Sequence, residues 1–392
     1  MKIGLDLRMA GGGSGIARYI SDLSHEILSQ DSAKGGSASG GKKNQYVLFF
    51  RDTEQSEDYK QFGQKIVITG IRHYSLAEQL RLPEILKKEN LDLVHFPHFN
   101  VPIFYRQPFV VTIHDLTHTL FPGKKPSHFF HRLAYYMVFN AAITNSKKII
   151  TVSESTKKQI LQHFRVDEKK ILVVYEGHNQ AYKMLGKDEA FQQVSKKFNI
   201  NKPYLLYVGV WRRYKNLPML AKAFDRLLDQ GFDLQLVLAG SPDPNYPEIK
   251  SQITDIRNQN RIKMLGRVSD EDLNLLYNAA ELFVLPSLME GFGLTALEAS
   301  ACGVPIACSD IPALREVLGQ GAEYFDPNNL ENMTDVLFSL LKRPERLEEL
   351  ANLALKRADL FNWKKAAEET VEIYSTSVSA MLNLIQHLKT RS

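Results

Sequence analysis

The chain has 392 residues, of which 44% are hydrophobic and 24% are charged, and its formal net charge is +5. This composition is that of an ordinary globular protein, and it excludes a disordered chain, a collagen-like fibre and a disulfide-rich miniprotein. The length is sufficient for two or three domains of average size.

The charge is unevenly distributed along the chain. Residues 1–180 contain 24 Lys and Arg against 17 Asp and Glu, whereas the remaining residues contain 25 against 27. Two halves of different charge predict two domains with different partners. The cysteines, Cys302 and Cys308, fit neither a CxxC redox pair nor a zinc ligand set, so we expect a reducing cytoplasm. Because the apolar runs are short, we expect neither a signal peptide nor a bilayer-spanning segment.

Strands and helices are predicted to alternate along both halves. Continuous apolar runs predict parallel strands that are covered on both faces. In the first half these runs lie at residues 3–7, 46–50, 65–69, 91–96, 109–113, 149–152 and 171–175. The pattern restarts near residue 203, with runs at 204–208, 234–238, 261–265, 282–285 and 305–308. Helical patterns fill the gaps, and Ser269 followed by Asp272 predicts a capped helix start.

This alternation predicts an α/β fold with two doubly wound Rossmann-like domains. We place the domains at residues 1–185 and 186–370, because a polar stretch begins at Gly186. The Gly/Ser-rich segment 32–41 is predicted to form a surface loop. Binding sites in such folds lie at the carboxyl ends of the strands, so the residues that follow each strand are the candidates.

The loop after the strand at 282–285 is the most informative candidate. Its glycines, Gly291 and Gly293, allow close approach of a ligand, and the free N–H groups of the helix that follows favour an anion such as phosphate. Glu290 and Glu298 flank this loop, and carboxylates bind vicinal hydroxyls by accepting two hydrogen bonds. The alternative is that the glycines are turn residues and Glu298 is a carboxylate on a helix face.

Three cations, Arg212, Arg213 and Lys215, follow the strand at 204–208. Cations at a strand end can neutralise a diphosphate leaving group, although a solvated charge cluster is the alternative. A glycine-rich loop that includes Gly13, Ser14 and Gly15 follows the first strand. It matches neither GxGxxG nor a Walker A loop, so the segment can be interpreted either as a ligand-binding loop or as a plain turn.

Two histidine segments also follow predicted strands. His114 comes directly after the strand at 109–113, and a lone histidine in such a place is more often structural than catalytic. His95 and His98 are close in sequence but lack a carboxylate or a further ligand cluster, so we expect no metal site.

In their order and spacing, several segments resemble those of glycosyltransferase family 4, and the resemblance covers nearly the whole chain. They are the glycine loop, HDL at 114–116, TVSES at 151–155, YVGVWRRYKN at 207–216, LAGSP at 238–242, LGRVSDEDLNLLYNAAELFVLPS at 265–287 and EGFGLTALE at 290–298. The family has the GT-B fold, in which two Rossmann-like domains face a central cleft, and its members retain the anomeric configuration. The resemblance therefore implies a donor-binding domain at 186–370, an acceptor side at 1–185 and a final helix at 371–392 that packs back on the first domain.

The resemblance also implies roles for individual residues. Glu290 would lie near the donor sugar, Glu298 would bind the nucleotide ribose, and Lys215 matches the family lysine. His114 would position the donor sugar by hydrogen bonding rather than act as a general base. The backbone that would meet the sugar and the diphosphate belongs to Gly291, Phe292, Gly293 and Leu294.

Two further positions depend on the same resemblance. The usual places of the family arginine hold Val210 and Tyr214, so Arg212 or Arg213 would substitute for it. The loop with Gly13, Ser14 and Gly15 would line the cleft.

The sequence is similar to bacterial mannosyltransferase-like members of lipopolysaccharide and capsule synthesis. This similarity implies a retaining hexosyltransferase with GDP-mannose as donor, a glycan or a lipid-linked saccharide as acceptor, and no metal or other cofactor. Two alternatives are a catalytically silent sugar-nucleotide-binding or scaffold protein and an NAD-type oxidoreductase. The oxidoreductase is disfavoured because it leaves Glu290 and Glu298 unexplained.

Residues 101–150 suggest an additional partner. They contain six Lys and Arg, one acid and nine Phe or Tyr, a combination suited to an anionic membrane surface. We therefore consider a peripheral position on the inner face of the plasma membrane, with the alternative that these aromatic residues form the core around a helix. Nucleic-acid binding is not expected, because the sequence has no concentrated basic stripe or binding motif.

Overall fold

The computed structural model describes residues 1–12, 15–34, 44–121 and 128–389. The chain forms two compact units, the first made of Met1–Glu176 and Trp363–Ser392 and the second of Gly177–Asn362. Each unit contains one parallel sheet with helices in the connections between its strands.

In its described residues, the first unit contains seven strands in a single parallel sheet. They are β1 (Lys2–Asp6), β2 (Gln45–Phe50), β3 (Lys65–Ile68), β4 (Leu93–Phe96), β5 (Phe109–Ile113), β6 (Lys148–Thr151) and β7 (Ile171–Val173). The helices between them are α1 (Gly15–Lys34), α2 (Leu76–Leu80), α3 (Leu82–Lys88), α4 (Thr117–Leu120), α5 (His128–Asn145) and α6 (Glu154–His163). The spatial order is β3-β2-β1-β4-β5-β6-β7, so the winding direction reverses between β1 and β4.

The second unit repeats this plan with six strands. They are β8 (Tyr204–Val208), β9 (Gln235–Ala239), β10 (Ile262–Gly266), β11 (Leu282–Leu285), β12 (Ile306–Ser309) and β13 (Glu323–Phe325). Its helices are α7 (Lys187–Phe198), α8 (Leu217–Asp229), α9 (Glu248–Thr254), α10 (Asp270–Ala279), α11 (Leu294–Ala301), α12 (Pro312–Leu318), α13 (Leu330–Leu341) and α14 (Pro344–Ala358). The order is β10-β9-β8-β11-β12-β13, and the reversal lies between β8 and β11.

The predicted strands are all present and pair in parallel, and the helix start at Ser269 is confirmed because its side chain accepts from the Asp272 N–H at 3.2 Å. β13 was not predicted, since three residues that begin with Glu323 do not form an apolar run. Of the predicted loop at 32–41, residues 32–34 end α1, and residues from 35 onwards lie outside the described part.

The units divide at Glu176 and Trp363, whereas the sequence interpretation placed boundaries at 185 and 370. The segment 177–186 belongs to the second unit because it is bonded to α10. The Lys183 N–H donates to Asn274 Oδ1 at 3.1 Å, and the Leu185 N–H donates to Asn278 Oδ1 at 2.6 Å. The boundary between the units is therefore set by the hydrogen bonds of segment 177–186 to α10, and the polar composition of the sequence after Gly186 does not mark it.

A last helix, α15 (Trp363–Lys389), completes the first unit. Trp363 packs edge-on against Tyr19 of α1, with ring centroids 5.7 Å apart. The Tyr374 hydroxyl lies 2.7 Å from His95 Nδ1, and His95 Nε2 lies 2.9 Å from the Thr112 hydroxyl. Burial lowers the pKa of His95 to about 3, so this imidazole is neutral and serves as a hydrogen-bonding bridge inside the unit.

Candidate functional site

The candidate donor site lies where the winding of the second sheet reverses. The loop after β8, residues 209–216, and the loop after β11, residues 286–293, leave neighbouring strands at the same edge of the sheet. The backbone joins them directly, because the Leu288 N–H donates to the Tyr214 carbonyl at 2.7 Å. Open α/β sheets bind ligands at such reversal points, so the predicted residues on both loops are well placed for a common ligand.

Lys215 and Glu290 form an ion pair between these loops. Lys215 Nζ donates to Glu290 Oε1 at 2.7 Å, and the two side chains are only 16% and 12% exposed. Burial is the largest single effect and lowers the pKa of Lys215, but the Glu290 carboxylate together with Tyr214 and Tyr207 outweighs it, so the net pKa lies above the usual value. The lysine is therefore a fixed cation over the ordinary pH range.

The N-terminus of α11 follows directly after Glu290. Gly293 is its N-cap residue, with φ of +96° and no side-chain cap, so the first N–H groups of the helix have no capping side chain. A Cβ atom at this position would lie 2.6 Å from Leu314 Cδ2, so both the backbone conformation and the space require glycine. The side chains of Phe292 and Leu294 are buried, which leaves the backbone of this segment to contact an anion.

Glu298 lies on α11 and is fully buried, with 0% exposure. Its Oε2 accepts a hydrogen bond from the Tyr277 hydroxyl at 3.1 Å. The predicted contact with a ribose therefore requires local movement that uncovers this carboxylate. The contact of Glu298 with a ribose stays a prediction.

The two arginines face a different loop from Lys215. Arg212 Nε donates to Asp243 Oδ2 at 2.8 Å, and Arg213 Nε donates to Glu248 Oε1 at 2.7 Å. Both acids follow β9, whereas Glu290 follows β11. Each of the three predicted cations thus has an acidic partner, and Lys215 is the one paired with the segment 290–298, through Glu290.

Sequence reasoning missed several groups in these loops. Trp211 Nε1 and Ser287 Oγ are buried and have no hydrogen-bond partner among the described residues. A Cβ atom on Gly240 would lie 2.1 Å from the Gly209 carbonyl oxygen, so the loops after β8 and β9 touch through glycine backbone. The position of Trp211 and Ser287 directly after strands was the available signal.

In the first unit, His114 follows β5 and is held from several sides. Its Nε2 donates to the Pro97 carbonyl at 2.9 Å, and its Nδ1 lies 3.5 Å from Glu176 Oε1. Tyr19 packs edge-on against the imidazole at 4.5 Å between centroids. Because Nε2 is already bonded, Nδ1 is the ring atom that can interact with a sugar or with Glu176. Glu176, which sequence reasoning missed, follows β7.

The predicted glycine loop is only partly described. Gly15 is the first residue of α1, and Gly13 and Ser14 lie outside the described residues. In the described part of the chain, no group of three or more His, Cys, Asp or Glu side chains is arranged to hold a metal ion. Within the same residues, no helix combines the length and apolar character that crossing a membrane requires.

Comparison with known proteins identifies the class of this enzyme. Residues 188–357 match the model described as Glycosyl transferases group 1, and residues 43–181 match Glycosyltransferase Family 4. The chain is 28% identical to O-antigen chain mannosyltransferase B of Escherichia coli, with 78% of this chain and 79% of the relative covered. It is 27% identical to O-antigen chain mannosyltransferase RfbU of Salmonella typhimurium, with 74% and 76% covered.

The fold comparison agrees with the sequence comparison. Sucrose-phosphate synthase from Thermosynechococcus elongatus matches with a TM-score of 0.76 at 21% identity, over 97% of this chain and 100% of that one. The GT-B fold is therefore confirmed, and the protein is a glycosyltransferase rather than an oxidoreductase. Within that class, the chain belongs to glycosyltransferase family 4.

Proposed function

We propose that this glycosyltransferase moves mannose from GDP-mannose to a glycan or a lipid-linked saccharide, with retention of the anomeric configuration. The observation that carries the proposal is the Lys215–Glu290 pair beside the uncapped N-terminus of α11, at the reversal point of the second sheet. Mannose is favoured because both O-antigen relatives are named as mannosyltransferases.

The proposed chemistry needs a place for the diphosphate and no side-chain base. The N–H groups at the start of α11 bind the diphosphate, and Lys215 stabilises the negative charge that develops on it. The acceptor oxygen forms its bond to C1 as the C1–O bond to phosphate breaks, and the electron pair leaves with GDP. The acceptor proton passes to the departing phosphate oxygen on the same face, so the configuration is retained and no metal or cofactor takes part.

A panel of nucleotide sugars tests the donor. GDP-mannose, GDP-glucose, UDP-glucose and UDP-galactose are compared by thermal shift, and a donor at about 100-fold its Kd adds about 2.7 kcal/mol of stability. We expect the largest shift with GDP-mannose and an α-linked product by NMR. A larger shift with either UDP-sugar would contradict the mannosyl donor, and a β-linked product would contradict retention.

We also propose that α5 lies on an anionic membrane surface. Leu133, Tyr136 and Met137 are exposed at i, i+3 and i+4 spacing, so they form one apolar face of this helix. The surrounding residues 101–150 carry six cations and one acid. The apolar face and the excess positive charge together suit the interface of the inner leaflet, which is the location we propose.

A flotation assay with anionic vesicles tests this contact. Replacing both Leu133 and Met137 with serine should reduce vesicle binding at least about tenfold, because the double substitution removes the apolar face. The matched control replaces Leu360 and Met184, a leucine and a methionine of the second unit that are at least as exposed, with serine, and it should leave vesicle binding unchanged. If the wild type binds neutral vesicles equally well, or still binds anionic vesicles at high salt, the proposed electrostatic contribution to membrane binding is contradicted.

A further inference from the structure

Four polar side chains form a continuous chain through the apolar interior of the first unit. His95 lies in β4 and Thr112 in β5, while Tyr19 of α1 and Tyr374 of α15 lie at the two ends of the chain. All four are at most 2% exposed. Because a buried polar group is costly unless it is hydrogen-bonded, these side chains depend on one another for partners.

Three hydrogen bonds join the four side chains. The Tyr374 hydroxyl lies 2.7 Å from His95 Nδ1, and His95 Nε2 lies 2.9 Å from Thr112 Oγ1. Thr112 Oγ1 in turn lies 3.1 Å from the Tyr19 hydroxyl. A neutral imidazole carries one N–H and one bare nitrogen, so His95 must accept from one hydroxyl and donate to the other. The Tyr374 hydroxyl therefore sets the tautomer of His95, and through it the hydrogen bond made by Thr112.

The Tyr19 end of this chain reaches His114. Thr112 and His114 are two residues apart at the end of β5, and Tyr19 contacts both of them. Its hydroxyl is bonded to Thr112, and its ring packs edge-on against the imidazole of His114, with centroids 4.5 Å apart. Since the hydroxyl is tethered, the ring cannot shift along the sheet without breaking a buried hydrogen bond.

The Tyr19 ring restricts the orientation of the His114 imidazole. Nε2 of His114 is bonded to the Pro97 carbonyl at 2.9 Å, but a single hydrogen bond leaves a ring free to pivot about it. Contact with the Tyr19 ring, at an interplanar angle of 88°, limits that pivoting. The His98 ring, nearly parallel to the imidazole at 6.4 Å, adds a second contact. The direction of Nδ1, the ring atom left for a sugar, is thereby fixed.

We propose that Tyr374 of α15 is a positioning residue for sugar transfer, which holds the His114 imidazole in one orientation. The three side chains between them transmit the restraint, so a hydroxyl on the last helix acts on the end of β5. The proposal rests on the proposed function, because it takes His114 as a group that contacts the sugar.

A double-mutant cycle tests the proposal, with the donor selected by the panel. Tyr374→Phe keeps the ring and removes the hydroxyl, and it should lower kcat about tenfold while leaving the affinity for GDP unchanged. His114→Ala should lower kcat about 100-fold. When His114 is already alanine, Tyr374→Phe should change kcat less than about twofold, because its effect passes through the missing imidazole. Tyr19→Phe interrupts the chain at its other end and keeps the ring, so it should behave like Tyr374→Phe.

Ser377→Ala is the matched control. Ser377 is a buried hydroxyl on the same helix, and it donates only within α15, to the Ile373 carbonyl at 2.7 Å. Its loss should leave kcat unchanged. The histidine ring resonances in long-range ¹H–¹⁵N spectra, assigned with His114→Ala, give a readout that does not depend on activity. Tyr374→Phe should shift those of His114, and Ser377→Ala should not.

The proposal is overturned if Tyr374→Phe has normal kcat, if it loses as much activity in the His114→Ala background as in the wild type, or if the His114 resonances stay unchanged. Normal kcat in His114→Ala would overturn it as well. If GDP-mannose proves not to be the donor, the mannosyl proposal fails, and the same cycle with the donor that is turned over still decides the role of Tyr374.

Discussion

Lys215→Met will lower kcat for sugar transfer about 10²- to 10³-fold, because it removes the fixed cation that we propose stabilises the departing diphosphate. It will also leave the largely buried Glu290 carboxylate without its partner, which costs about 3 kcal/mol of unfolding free energy. Steady-state kinetics with the donor selected by the panel, together with urea denaturation, measure the two effects separately.

The control for this prediction is Lys197→Met. Lys197 forms a comparable ion pair with Asp272 at 2.6 Å, but its side chain is 57% exposed, so its loss should change neither kcat nor stability by much. The double variant with Lys215→Met and Glu290→Gln should recover stability but not kcat, because it removes the unpaired carboxylate and does not restore the cation. Normal kcat in Lys215→Met would exclude the proposed role of the lysine.

Glu298→Ala will weaken GDP binding about 100-fold, the equivalent of two charge-assisted hydrogen bonds to a ribose. It will also reduce the unfolding free energy by about 1 kcal/mol, because it removes one of the two acceptors of the Tyr277 hydroxyl, which keeps the Thr295 carbonyl at 3.1 Å. Isothermal titration calorimetry with GDP gives the first effect, and thermal denaturation of the free protein gives the second.

Tyr277→Phe separates the two roles of this carboxylate. It keeps Glu298 but takes one donor from this buried carboxylate, so it should cost about 2 kcal/mol of stability and leave the affinity for GDP nearly unchanged. Should Glu298→Ala lose stability but bind GDP as the wild type does, the carboxylate serves only the packing of α11 against α10.

The strands were predictable because most of them are largely apolar runs, as the fully buried β8 and β11 illustrate. The loops that carry Lys215 and Glu290 were predictable for the same reason, because strand ends locate them. The short β13 has no such signal. Its residues pair with β12 at the edge of the second sheet.

The side-chain pairs of the sites were harder to predict. Arg212 and Asp243 are 31 residues apart in sequence, and Arg8 and Glu78 are 70 apart. Which strand ends become neighbours depends on the strand order, and local patterns do not determine that order. The buried hydrogen bonds of Arg8 with Asp6 and Glu78 were therefore missed, although Asp6 ends the first strand of the chain and Arg8 follows it.

The return of α15 to the first unit has a consequence for synthesis on the ribosome. The second unit is one continuous segment, so all its strands are available once residue 362 has left the exit tunnel. The interior of the first unit cannot be completed until α15 has been synthesised. Tyr374 of this helix is the partner of His95, and Trp363 is the partner of Tyr19. Contrary to the usual amino-to-carboxyl order of domain folding, the amino-terminal unit of this enzyme is the last to be completed.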